Sequence, residues 1–231
     1  MTKAEAIRKL VLANHILSNE GILEALGHVS CRNPEDPNTF LLSRSRAPML
    51  VTDDDIMVHD FEGNVLDKEY TPYGERILHA KIYQARPDVM AICHNHSGSL
   101  IPFTTTGVEL KPICHVGGIF HQGIPNYDDY DVSDGMLIKN NKEGERVARV
   151  LGDKRALLLR GHGVIVVGES IEITVMSSIY LSFNAEMQYR SMQLGNPKFL
   201  SVEEGRAIEE VMTSPLALDR IWDYLVARAE K

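Results

Sequence analysis

The run Val89-Met90-Ala91-Ile92-Cys93-His94-Asn95-His96 reads as a strand ending in two histidines, with Ser97-Gly98 turning the chain just beyond. Side chains at i and i+2 leave the same face of a strand, so both imidazoles point one way. Two imidazoles on one face can take two positions around a single divalent cation. They can equally form a polar strand face hydrogen-bonded to its neighbours, and His-x-His alone does not choose between these readings.

The sequence on either side supplies further donors. Upstream, Thr71-Pro72 opens a helix that runs through Glu75, Ile77, Leu78 and Ile82 and stops before Pro87, because a residue preceding proline leaves the helical region. Glu75 falls in its first turn, where the helix dipole favours a carboxylate whether or not the carboxylate has another task. Downstream, the apolar strands Ala156–Leu159 and Val164–Val167 flank Arg160-Gly161-His162-Gly163. Glycine on both sides permits unusual dihedrals and close approach. An imidazole placed there is a surface turn residue, or one satisfied by a hydrogen bond or a metal. Three imidazoles and one carboxylate suit Zn²⁺, Mn²⁺ or Fe²⁺ and leave positions open for a substrate.

The remaining chain reads as alternating elements without a linker or repeat. Thr2 and Glu5 have capping-box spacing ahead of a helix ending near Gly21. Short extended pieces at 28–32, 39–43 and 57–60 form an antiparallel meander, and 116–120 is a further candidate strand. Helices are expected from about Lys142 to Leu151, from Ser170 to about Leu194, from Ser201, and from Ser214-Pro215. One α/β domain spanning 1–231 is the economical reading, with 201–231 a C-terminal helical extension.

Composition removes several classes. The apolar runs are far below the ~18–20 residues of a membrane span. A net charge of −8 without a basic block argues against nucleic-acid binding. Met1–Leu12 builds no signal-peptide apolar region, and three scattered cysteines suit a reduced, cytoplasmic chain.

Four motifs in register carry a resemblance: Pro72-Tyr73-Gly74-Glu75, the run 82–89, His94-Asn95-His96-Ser97 and Arg160-Gly161-His162-Gly163. Over about residues 4–195 the chain resembles the class II aldolase/adducin family. The resemblance implies a three-layer α/β/α domain around a mostly antiparallel mixed sheet, and a homotetramer with active sites between subunits. It also implies one divalent metal ion per subunit on His94, His96 and His162, with Glu75 as acid/base. The substrate side departs from the sugar-phosphate aldolases of that family, since their small phosphate-holding residues are replaced by Gly27-His28, Ser43-Arg44 and Tyr73-Gly74. An arginine fork and an aromatic wall suit a planar carboxylate.

The run 40–48, Phe-Leu-Leu-Ser-Arg-Ser-Arg-Ala-Pro, resembles a decarboxylase branch acting on hydroxylated phthalate and pyridine carboxylates. Ser43, Arg44, Ser45 and Arg46 are then anion contacts, with His28 and Tyr73 beside the substrate. The expected reaction is decarboxylation of a hydroxylated aromatic or heteroaromatic acid through a metal-stabilised enolate-like intermediate. The alternatives are an aldolase acting on a hydroxyketone or sugar phosphate, an adducin-head-like association module, and an iron-dependent oxygenase. Of the other histidines, His15, His59 and His79 read as structural or surface residues. His115 and His121, with Tyr127 and Asp128, are candidates to line the pocket. Trp222, Tyr224 and Leu225 either pack on the sheet or cover a neighbouring subunit's site.

Overall fold

Thr2 and Glu5 close a reciprocal capping box on α1 (Lys3–Asn19) in the computed structural model, which describes residues 1–230. The meander follows as β1 (His28–Arg32), β2 (Thr39–Ser43) and β3 (Ile56–Asp60), then α2 (Arg76–Ala85) and β4 (Ala91–Asn95). A short α3 (Ile101–Thr105) and β5 (Asn126–Tyr127) precede α4 (Asn141–Leu151), β6 (Ala156–Leu159) and β7 (Gly163–Gly168). Three helices complete the chain: α5 (Ile171–Leu194), α6 (Val202–Met212) and α7 (Pro215–Ala229).

The strands form one seven-stranded sheet in the order β3-β2-β1-β4-β7-β6-β5. Every neighbouring pair is antiparallel except β5 with β6. Alternation along each strand sends side chains to opposite faces, and both faces are covered. Val29, Cys31, Leu41, Val58 and Cys93 meet α1, α5 and α7 on one face. Phe40, Leu42, Ile92, Ile165 and Val167 meet α2 and α4 on the other. A third cluster joins Leu158, Val164 and Val166 to Phe103, Phe120 and Met176. The result is a three-layer α/β/α arrangement around a mixed, mostly antiparallel sheet.

Two elements differ from the sequence expectation. Residues His115–Phe120 form a 3-10 helix rather than a strand. The segment packs against α5 and α6, with Asn184 close against Gly117, and it pairs with no strand of the sheet. Helix α2 begins at Arg76 rather than near Thr71, and Glu75 is its N-cap residue. The preceding segment is drawn to β2 instead: Ser45 donates to the Thr71 carbonyl, and Arg44 bridges Pro72.

At the C-terminus, Leu225 is buried against the α1 side, with Ile221, Trp222 and Val226 packed beside it, while Tyr224 remains exposed. Among the described residues no helix is long and apolar enough to cross a membrane.

Candidate metal centre

Strands β4 and β7 lie side by side in the middle of the sheet, paired from Ala91↔Gly168 to Asn95↔Val164. His94 closes the apolar part of β4 and is fully buried, and His96 emerges just past the strand end. The turn between β6 and β7 carries the third histidine to the same place. His162 N–H donates to the Leu159 carbonyl, and Gly161 takes the turn position with φ +65°, a left-handed conformation that favours glycine. Gly163 lies so close to β4 that a Cβ there would sit 2.3 Å from the Asn95 carbonyl oxygen. The two glycines beside His162 thus have separate tasks, one turning the chain and one admitting the neighbouring strand.

Glu75 enters from above, at the N-terminus of α2. Its backbone (φ −85°, ψ 14°) is not that of a conventional cap and its side chain caps nothing. The carboxylate instead points at the histidines: Oε2 lies 3.5 Å from His94 Nε2 and 3.5 Å from His162 Nε2. His94 Nε2 and His96 Nε2 are 3.1 Å apart. One donor atom from each of Glu75, His94, His96 and His162 falls within 4.8 Å of every other. Four ligands at ~2.0–2.2 Å from a tetrahedral cation stand about 3.3–3.6 Å apart, so the measured separations fit such an ion. Burial alone would raise the Glu75 carboxyl, but His94 and His162 outweigh it and hold it well below the ordinary carboxylate range. Glu75 is therefore an anion facing imidazole nitrogens.

The outer contacts have the pattern expected around metal-ligating histidines. His94 Nδ1–H donates to the Val164 carbonyl at 3.0 Å, which leaves the Nε2 lone pair facing the cluster. His96 Nδ1 meets Glu24 Oε1 at 2.5 Å. The second oxygen of Glu75 accepts from the Ile138 amide at 3.0 Å. His162 Nδ1 is buried without a protein partner, as is the nearby Tyr130 hydroxyl.

A cavity of about 480 Å³ opens over the cluster. That volume suits a small organic ligand. Glu75, His96 and His162 line its floor, His28 and Tyr73 one side, and Leu26, Met136 and Leu137 the rest. Met136 has φ 61°, unusual for a residue other than glycine, in the loop that also anchors Glu75 through Ile138.

The other residues singled out from sequence divide clearly. His28 and Tyr73 are in the cavity wall, with ring centroids 4.6 Å apart. Ser43, Arg44, Ser45 and Arg46 are not among its lining residues. Asp55 engages both arginines, at 2.5 Å from Arg44 Nε and 3.2 Å from Arg46 Nη1. Ser43 is buried at the end of β2, and Ser45 is exposed. This segment touches the cavity only indirectly, through the Tyr73 hydroxyl, which donates to the Arg46 carbonyl.

His115 and His121 lie elsewhere, His121 bonded to Glu209. Tyr127 is buried and Asp128 pairs with Arg160. Sequence reasoning missed Glu24, which follows an apolar pair and carries no signal of its own. It also placed His79 outside the site. That residue is buried one helical turn beyond Glu75 and bonds His28, a relation that the i, i+4 spacing encodes.

Residues 8–189 match the model of the "Class II Aldolase and Adducin N-terminal domain". The decarboxylase tropJ of Talaromyces stipitatus is 35% identical over 205 residues, 81% of this chain and 77% of that protein. The 3,4-dihydroxyphthalate decarboxylase of Arthrobacter keyseri is 29% identical over 195 residues, covering 78% and 75% of the two chains. Among solved structures, L-fuculose 1-phosphate aldolase from Glaciozyma antarctica superposes with a TM-score of 0.83 at 24% identity. That superposition covers 99% of this chain and 89% of the aldolase, and it establishes a shared fold.

Proposed function

From the premise that the chain belongs to the class II aldolase/adducin family, on its decarboxylase-like branch, we propose that it is a divalent-metal-dependent carbon–carbon lyase that decarboxylates a hydroxylated aromatic or heteroaromatic acid. The observation that carries this reading is the convergence of Glu75, His94, His96 and His162 beneath a cavity with apolar and aromatic walls. Those four residues would hold the cation. When bound, it would supply a Lewis acid for the oxygen that gathers negative charge as the carbon–carbon bond breaks.

The protein's own groups account for the rest. Leu26, Tyr73, Met136 and Leu137 would receive a flat ring and exclude water from it. Glu75, an anion, would take the proton of the substrate hydroxyl, making the ring electron-rich, and return it to the carbon that bears the carboxylate. The bond to that carboxylate then breaks, carbon dioxide leaves, and the electron pair returns to the ring as phenolate, which solvent protonates. A positioned acid–base group of this kind typically contributes about 10²–10⁴-fold. Arg44 and Arg46, paired with Asp55, are not among the cavity's lining residues and are not assigned to the reacting carboxylate.

The test is incubation of the Mn²⁺- or Zn²⁺-loaded protein with 3,4-dihydroxyphthalate and related hydroxylated aromatic acids. Carbon dioxide release with stoichiometric phenol is the expected result. Aldehyde formation from L-fuculose 1-phosphate, with no carbon dioxide from any aromatic acid, would overturn the reading in favour of an aldolase. Oxygen uptake during turnover would overturn it in favour of an oxygenase.

A further inference from the structure

Behind the cavity wall a chain of buried polar groups runs into the core between α2 and β1. His28 Nδ1 lies 2.7 Å from His79 Nε2, His79 Nδ1 lies 2.7 Å from Ser30 Oγ, and Ser30 Oγ lies 2.9 Å from the Tyr83 hydroxyl. Ser30 and His79 are fully buried and Tyr83 nearly so. Each of these groups must find its partners inside the chain, because a buried donor left unmade is destabilising.

That requirement sets the direction of every hydrogen bond. The Tyr83 hydroxyl has one neighbour, Ser30, and so donates to it. The Ser30 hydroxyl, having accepted from Tyr83, can place its own proton only on His79 Nδ1. His79 therefore carries its proton on Nε2 and donates to His28 Nδ1. His28 is left with its proton on Nε2. That atom has no protein partner and is not sealed from solvent, and the ring forms part of the cavity wall. The reverse polarity would leave the Tyr83 hydroxyl proton in the core with no acceptor.

We propose that His28 is a specificity-determining hydrogen-bond donor, its Nε2–H turned permanently to the cavity by the Tyr83–Ser30–His79 chain, and that it takes an anionic or carbonyl oxygen of the bound molecule. Ser30, His79 and Tyr83 are positioning residues, acting only through His28. The site thus selects for an acceptor oxygen at this wall and against a hydroxyl or amine hydrogen there. The inference deepens the lyase reading and rests on it for one point, that the oxygen belongs to an aromatic carboxylate.

Two measurements test it. Long-range ¹H–¹⁵N spectra of the intact, histidine-labelled, metal-free protein report which ring nitrogen of His28 holds the proton. Nε2 is expected; a proton on Nδ1 overturns the polarity argument. Phthalate, an aromatic dicarboxylate with no hydroxyl to react, is then titrated into the zinc-loaded protein. It should shift the His28 Nε2–H signal. His28→Leu should weaken phthalate about 10–100-fold while zinc content stays unchanged, and His28→Gln, which keeps a donor, should restore most of the affinity.

Ser30→Ala should give a mixture of His28 tautomers and weaker phthalate binding, with Ser30→Thr rescuing both. No saturable phthalate binding, equal binding by His28→Leu, or loss of zinc from that variant would overturn the donor role. Failure of all aromatic acids to release carbon dioxide, with the His28 results as expected, would instead overturn the lyase reading and leave the donor in place.

Discussion

Glu24 stands outside the proposed ligand set, yet it should govern how tightly the cation is held. Its Oε1 lies 2.5 Å from His96 Nδ1, and its carboxyl is depressed: burial works against the charge, but the contact with His96 prevails. A carboxylate on the outer nitrogen fixes the ring's orientation and raises the basicity of the ligating nitrogen. Removing such a partner typically weakens metal binding 10–100-fold, or about 1.4–2.8 kcal/mol. The Glu24 side chain is 48% exposed, so water screens the pair and the loss belongs at the low end. Glu24→Ala should therefore weaken zinc about tenfold in competition with a chromophoric chelator. Glu24→Gln keeps an oxygen that can accept from Nδ1–H and should lose less than about threefold. Wild-type affinity in Glu24→Ala, or an equal loss in both variants, would refute the reasoning, because the effect would then not pass through the hydrogen bond to His96.

Glu75→Gln should fold and, measured at saturating zinc, lose about 10²–10⁴-fold in carbon dioxide release; unchanged turnover would remove Glu75 from the proton path. Gly163→Ala forces a Cβ against the Asn95 carbonyl, so β7 must shift from β4 and carry His162 with it. Its stability in urea should fall by about 1–3 kcal/mol, with a disproportionate loss of bound metal. Asp55 is held at about 2: burial opposes its charge, but Arg44, Thr52 and Arg46 overcome it. A depressed carboxyl adds stability above its unfolded pKa of about 3.9, and that stability is lost as pH falls toward 2. Acid unfolding of Asp55→Asn should lack this part of the pH dependence, and near neutral pH the variant should be less stable by about 1.5–3 kcal/mol in urea.

Legibility in the sequence followed the range of the forces involved. Local chemistry announced itself: the capping boxes at Thr2 and Ser201 and the serine caps at Ser170 and Ser214 stand at the helix starts that the spacing gave. The i, i+2 rule placed His94 and His96 together because it depends only on strand geometry. The approach of Glu75 and His162 could be read from residues only as chemistry that would suit a cation, and the family likeness supplied the grouping. Segments whose partners are distant in sequence went astray. An apolar run with two glycines at 116–120 looks like a strand until the neighbouring α5 and α6 are known. The pairing of Arg44 and Arg46 with Asp55 was likewise not legible from the residues alone. Glu24 carried no periodic signal pointing at the site, since it acts through one long-range hydrogen bond, whereas His79 shares a helical face with Glu75 but finds its partners only across the fold.

The stripe Glu75, His79, Tyr83 on α2 shows how such bonds become possible. Four residues of helix rise about 6.0 Å and two residues of strand about 6.6–6.8 Å, so a polar stripe at i, i+4, i+8 stays in step with one at i, i+2, i+4 over three rungs. The strand rungs are His28, Ser30 and Arg32, with His94 beside His28 on β4. At the deep end Arg32 closes the series, donating to the carbonyls of Tyr83, Arg86, Val89 and Pro37, with its guanidinium over the Tyr83 ring. A layer this polar between helix and sheet adds little net stability over an apolar one, because each hydrogen bond largely replaces one made to water. Leucines and phenylalanines on both stripes would pack the same two elements. They would not fix which nitrogen of His28 bears a proton, and a neutral histidine at a cavity wall can otherwise present either a donor or a lone pair. The ladder therefore has its clearest physical rationale in the cavity, where the direction of one hydrogen bond decides which oxygen or nitrogen of a ligand can approach the metal from that side.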